Sequence, residues 1–166
     1  MQVKSIITEV KWGLIFVAML LCWMVLERLG GFHGERIDLH MYVTNLIMIP
    51  AIAIYVFALR NKREADYQGN MTYFQGFTSG LIIAVVVCVV SPLTQWLISN
   101  VISPDYFPNI IEYVVANGQM TREEAEGYFN YESYVVQSMV GAIVMGAITA
   151  AVVSVFVKRT TKTTAD

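Results

Sequence analysis

The sequence predicts an all-α protein: a four-transmembrane-helix bundle with a short amphipathic extracytoplasmic helix between its third and fourth spans. Three observations carry that prediction. The chain of 166 residues is 56% hydrophobic and 14% charged, with a mean hydropathy of +0.55, against roughly half and a quarter in soluble domains. No charge occurs between Asp66 and Asp105, and the apolar part from Phe74 to Ile98, at about 1.5 Å per residue, exceeds the roughly 30 Å of a bilayer's hydrocarbon. Two hydrophobic segments also repeat small residues every four positions: Gly76, Gly80, Ala84 and Cys88 in one, Ser138, Ala142, Gly146, Ala150 and Ser154 in the other. Such ladders let helix backbones approach closely, so spans three and four are expected to pack as a pair, or the same stripes to hold a homodimer. The whole chain is read as one integral membrane domain, with spans at about 12–28, 41–59, 72–99 and 133–157 and an extracytoplasmic segment at 100–132.

The first span opens after Lys11 and stays uncharged from Trp12 to Leu26, about 22 Å at helical rise. Lys11 and Arg28 can snorkel, and Trp12 and Trp23 suit the two interfaces, which makes up the length. The run ends in Met-Val-Leu-Glu-Arg, unlike the small residues of a cleaved signal peptide. Gly30 and Gly31 then open a polar loop to His40. It holds His33 and His40 beside Glu35 and Asp38; their spacing matches no metal template, and the expectation is a solvated loop.

The second span contains Asn45 and Pro50. Proline in a helix removes its own N–H and frees the carbonyl four residues back, here that of Leu46, so a kink is expected. The third span repeats this at Pro92, which frees Cys88. Between the two spans, Arg60, Lys62, Arg63, Glu64 and Asp66 form a charged turn. Cys22 and Cys88 both fall within spans and are expected to be packing residues without a disulfide.

In the outer segment, Pro104 and Pro108 bracket a turn, and Ile110, Ile111, Val114 and Val115 fall on one side of a helix that Asn117-Gly118 stops. Thr121 followed by Glu124 is a capping box, and the helix it opens is expected to continue into the fourth span, with Tyr128, Phe129, Tyr131 and Tyr134 as an aromatic belt. The carboxylates Glu112, Glu123, Glu124, Glu126 and Glu132 belong to a polar surface, where burial does not separate their acidities for acid–base work.

Charge sets orientation. Lys4, Lys11, Arg60, Lys62, Arg63, Lys158, Arg159 and Lys162 lie on one side of the predicted topology, and Arg28, Arg36 and Arg122 on the other. The acids divide the other way, four against nine. The positive-inside rule then places both termini in the cytoplasm. The sequence contains no Walker loop, GxSxG, HExxH or CxxC, no charge deep in a predicted span that would serve an ion-coupled pump, and no basic face beyond the one that topology explains, which excludes a nucleic-acid reading. No catalytic residue, cofactor or metal site is expected.

The basic turn leading to Tyr67-x-Gly69, the entry Tyr73-Phe74-Gln75-Gly76-Phe77, then Pro104-Asp105-Tyr106, Asn117-Gly118-Gln119-Met120-Thr121-Arg122-Glu123-Glu124 and the closing Lys158-Arg159 occur in an order that resembles a bacterial membrane family, domain of unknown function 4199, typical of Bacteroidota. The resemblance implies a four-helix inner-membrane protein with no assigned activity, sometimes encoded near lipid-linked sugar transferases. The functional expectation is a non-enzymatic scaffold or accessory subunit that sits in the lipid bilayer with a membrane-protein partner, such a transferase or a second copy. The alternative is a small-molecule or lipid carrier whose mid-membrane cavity is lined by Asn45, Pro50, Pro92, Thr94 and Gln95.

Overall fold

A computed structural model of the protein describes residues 6–159. Lys4, Lys162 and the polar tail at 160–166, which entered the charge and topology readings, lie outside the described residues. Among the described residues the chain forms seven α-helices: α1 (Ile7–Leu29), α2 (Ile37–Asn45), α3 (Met48–Tyr67), α4 (Tyr73–Leu97), α5 (Tyr106–Ala116), α6 (Arg122–Tyr128) and α7 (Tyr131–Val157). Four stretches are long and apolar enough to cross a membrane: α1, α2 with α3, α4 with the π-helical turn Ile98–Ile102, and α7. Their outer faces leave Ile49, Phe74, Val89, Val140, Val152 and Phe156 exposed, as lipid-facing positions should be. The protein is a multi-pass membrane protein built as a helical bundle.

α4 sits at the centre, touching α1, α3 and α7, with α7 its most extensive partner. Lipid tails are as apolar as any core, so close packing rather than escape from water holds such helices together. A methyl added at Gly76 would stand 2.9 Å from the Ser154 hydroxyl, one at Gly146 would stand 2.5 Å from the Ala84 methyl, and one at Gly80 would collide with Ala150. The two stripes therefore meet rung against rung in antiparallel order. Ser138, Ala142 and Cys88, farther along the stripes, are half-buried, while Cys22 is exposed on α1. Tyr55, Leu59, Met71, Ile83, Val153 and Val157 fill the space beside the ladder. Met71 and Arg159 exchange paired backbone hydrogen bonds of 2.9 Å, which brings the start of α4 to the end of α7.

Three boundaries differ from expectation, each for a local reason. The second crossing is two helices, because the chain turns at Leu46 and Ile47, one turn ahead of Pro50; the Leu46 carbonyl that proline cannot serve accepts from the Ile49 N–H at 3.0 Å. Pro50 therefore sits in the first turn of α3, not in mid-helix. α3 then runs on through the charged cluster to Tyr67, since Lys62 is neutralised within the bundle, and the chain reverses at Gln68 and Gly69, whose φ angles of 52° and 81° are left-handed. α4 is continuous through Pro92, where the Ser91 and Thr94 hydroxyls donate to the carbonyls of Val87 and Val90. α6 does not carry on into α7: both hydrogen bonds of the Thr121–Glu124 capping box are present, but Asn130 starts α7 afresh by accepting the Ser133 N–H at 2.9 Å.

Candidate functional site

At one end of the bundle a buried acid and two histidines converge. Glu27 lies in the last turn of α1 and is 1% exposed. One turn earlier, the Trp23 indole N–H donates to its Oε1 at 2.5 Å. The chain then doubles back: Gly30 N–H donates to Leu26 O, Phe32 N–H to Glu27 O, and Gly31 takes a φ of 79° that glycine adopts without strain. That reversal lays His33 over the end of α1, with its Nε2 3.1 Å from Glu27 Oε2. His40, one turn into α2, brings its own Nε2 within 3.4 Å of the same oxygen. One donor atom from each of the three lies within 4.8 Å of the other two.

The far side of each ring is held from across the fold. His33 Nδ1 is 2.6 Å from Ser103 Oγ, just past the π-helical turn, and the His33 carbonyl accepts from Asn109 of α5 at 2.9 Å. His40 Nδ1 is 3.5 Å from the Tyr106 hydroxyl, which in turn is 3.3 Å from that of Tyr134. The rings of His33, His40 and Tyr106 form a triangle with centroids 5.1 to 5.2 Å apart. Burial, ahead of the Glu27 charge, pushes the Tyr106 phenol up from its ordinary value, so it stays a hydroxyl that can donate or accept.

Beside the triad is a chamber of about 280 Å³ lined by His33, His40, Thr44, Gln95, Ser99, Tyr106, Tyr134 and Gln137 among others. A second hollow of about 350 Å³ shares His33, Ser103 and Tyr106 and reaches Arg28, Glu35 and Asn109. The Arg28 guanidinium donates to the Ile102 carbonyl. Among the described residues, the ion-pair partners of Glu27 are His33 and His40.

These positions correct the solvated-loop expectation. His33 is 7% exposed and the His40 side chain 16%, and they face Glu27 while Glu35 and Asp38 stay exposed. The Gly30-Gly31 reversal is the physical reason, since it folds the loop onto α1. Glu9, Glu27 and Lys62 are buried as well, toward the ends of the crossing helices and not deep within them. The signal available in sequence was an acid closing an apolar run, then two glycines, then two histidines.

Of the five expected cavity positions, Gln95 lines the chamber and donates to Ser99 Oγ at 2.9 Å. Thr94 is buried on its own helix's carbonyl, and Asn45 is exposed with its amide donating to Met41 O. The Pro92 carbonyl accepts from the Tyr131 hydroxyl at 3.3 Å. The carboxylates of the α5–α6 hairpin are exposed, and Arg122 pairs with Glu112 at 3.1 Å and Glu126 at 3.7 Å; no acid–base pair is assembled there among the described residues.

Comparison with curated proteins and with solved structures returned no match. Residues 11–159 match a family described as protein of unknown function (DUF4199). With nearly the whole chain covered, this multi-pass helical bundle belongs to the DUF4199 family.

Proposed function

We propose that the protein is a binding, non-enzymatic accessory subunit of a bacterial inner-membrane complex, with both termini cytoplasmic and a polar ligand chamber at the extracytoplasmic end. One observation carries this reading: buried Glu27 and His33 meet half-buried His40 beside a chamber of about 280 Å³. Buried polar groups in a membrane protein are costly and mark functional positions by default, and a concave apolar wall with a few convergent polar groups is the usual form of a small-ligand site. Orientation is supported by the cations: among the described residues, six of nine lie at the end where α1 begins and α7 ends. The hairpin of α5 and α6, with Glu112, Glu123 and Glu126 exposed, stands next to the chamber and suits contact with a partner subunit.

Accessibility tests both chamber and orientation. Cys22 and Cys88 are replaced by alanine, and Ser99→Cys, on the chamber wall, is treated in spheroplasts with a membrane-impermeant maleimide. Labelling of that thiol in intact spheroplasts, together with a Lys11→Cys thiol that reacts only after lysis, supports the reading. A Ser99→Cys thiol that reacts only after lysis reverses the orientation, and one that never reacts removes the chamber.

A further inference from the structure

We propose that Glu27, His33 and His40 form a binding site for a divalent transition-metal ion, with Zn²⁺ the natural occupant by ligand type. The inference rests on the chamber reading and names the ligand class for it. Two imidazoles and a carboxylate are a donor set that zinc takes when three protein ligands hold it and a fourth position is left for water or a substrate. Two of the three separations agree. Ligand atoms about 2.0 to 2.1 Å from a tetrahedral ion stand about 3.4 Å from one another; Glu27 Oε2 lies 3.1 Å from His33 Nε2 and 3.4 Å from His40 Nε2, and one donor atom from each of the three side chains lies within 4.8 Å of the other two.

The outer contacts argue for the same assignment. Each of the three side chains is tied down at the atom that points away from the convergence: Oε1 of Glu27 by Trp23, Nδ1 of His33 by Ser103, Nδ1 of His40 by Tyr106. That is the arrangement by which metal sites fix the tautomer and direction of their ligands, because an imidazole that donates its Nδ1–H outward turns the Nε2 lone pair inward. The chamber on the far side supplies an entry path. Charge points the same way. A carboxylate 1% exposed has no lysine or arginine as an ion-pair partner among the described residues, and a buried charge is retained where it is paired or coordinates a metal. The competing arrangement uses the same heavy atoms without an ion: both Nε2 atoms carry hydrogen and donate to the one oxygen, while Ser103 and Tyr106 donate to the Nδ1 atoms. Metal titration separates the two.

The full-length protein, freed of any histidine tag and stripped with a chelator in mild detergent, is titrated with Co²⁺ as a spectroscopic stand-in for zinc. The expected result is one ion per chain, visible absorption bands of four-coordinate cobalt, and their loss when Zn²⁺ is added. His33→Gln and His40→Gln should each abolish the bands, with monodispersity and helical content unchanged. Ser103→Ala, which touches no ion, should weaken binding about tenfold or more, the cost usual for an outer partner. Should His33→Gln fail to fold, His40→Gln, at a less buried position, gives the same reading. Absence of stoichiometric bands in the wild type, or bands that persist in the His33→Gln/His40→Gln double variant, overturns the metal site. A Ser99→Cys thiol that still labels from outside in that event leaves the chamber standing, so the two proposals fail separately.

Discussion

The two ends of the bundle each bury a glutamate from α1, and they treat it oppositely. Glu9 is 2% exposed and meets the Lys62 ammonium at 2.8 Å, which also reaches Asp66 at 2.6 Å. The Trp12 indole donates to Asn61 beside it, and Arg63 donates to the Val157 carbonyl. The charged groups there have a fixed polarity: an ammonium only donates and a carboxylate only accepts. Glu27 at the other end faces two imidazoles, and behind them hydroxyls of serine and tyrosine. Those groups can each donate or accept, so the network admits more than one arrangement of its hydrogens. The difference teaches that buried charge in this chain serves two ends: a lock joining α1 to α3 where the termini lie, and an adaptable site where the chamber lies.

The largest effect should come from breaking the lock. Lys62→Met leaves Glu9 and Asp66 facing each other without their cation, and removing one partner of a buried pair costs about 3–5 kcal/mol. The expected outcome is a large fall in the thermal midpoint of the detergent-solubilised protein, recovered in part by adding Glu9→Gln. An unchanged midpoint in Lys62→Met would show that the Glu9 end is not a lock. The matching change at the other end is Glu27→Gln. An amide keeps the shape and can still accept from Trp23, while the histidine tautomers and the Ser103 and Tyr106 hydroxyls reverse to suit its NH₂ group. The loss should be about 1 kcal/mol, one hydrogen bond's net contribution, with cobalt binding abolished. Equal destabilisation by Lys62→Met and Glu27→Gln would erase the distinction between the two ends.

The same contrast explains which parts were legible in sequence. The α4–α7 contact was readable because small residues at four-residue spacing in an apolar run mark a close helix contact, and Gly76, Gly80 and Gly146 lie against the partner stripe within the chain. The capping box at Thr121 was readable because its two hydrogen bonds link residues three apart. The site was not. Ser103 is 70 positions from His33, and Tyr106 is 66 from His40, and no periodicity announces a contact made by the folding of loops onto helix ends. The sequence reads Lys62 as part of a charged turn, because a lysine beside Arg60 and Arg63 looks solvated until α1 brings Glu9 to it. The α6–α7 break was hidden for a smaller reason: Asn130 lies among aromatic and polar residues that suit a helix interior as well as a cap.

A third carboxylate, exposed rather than buried, gives the baseline for both ends and the smallest expected effect. The Glu124 side chain accepts from the Thr121 N–H at 2.9 Å and from its hydroxyl at 2.8 Å, and these bonds, the backbone one first, hold its carboxyl below the ordinary value of 4.5. A carboxyl lowered on folding stabilises the folded form while it is ionised. The contribution is therefore fully present above about pH 4.5 and is lost as pH falls through the lowered value. Because the group is open to water, the loss should stay local: amide exchange in α6, corrected for intrinsic rates, should speed up on acidification, while α7, capped by the neutral Asn130, keeps its protection. Glu124→Gln removes the titrating group and should flatten that response. If α6 in Glu124→Gln still loosens with acid as the wild type does, the titrating group lies elsewhere, and the exposed carboxylate ceases to be a reference against which the buried ones are judged.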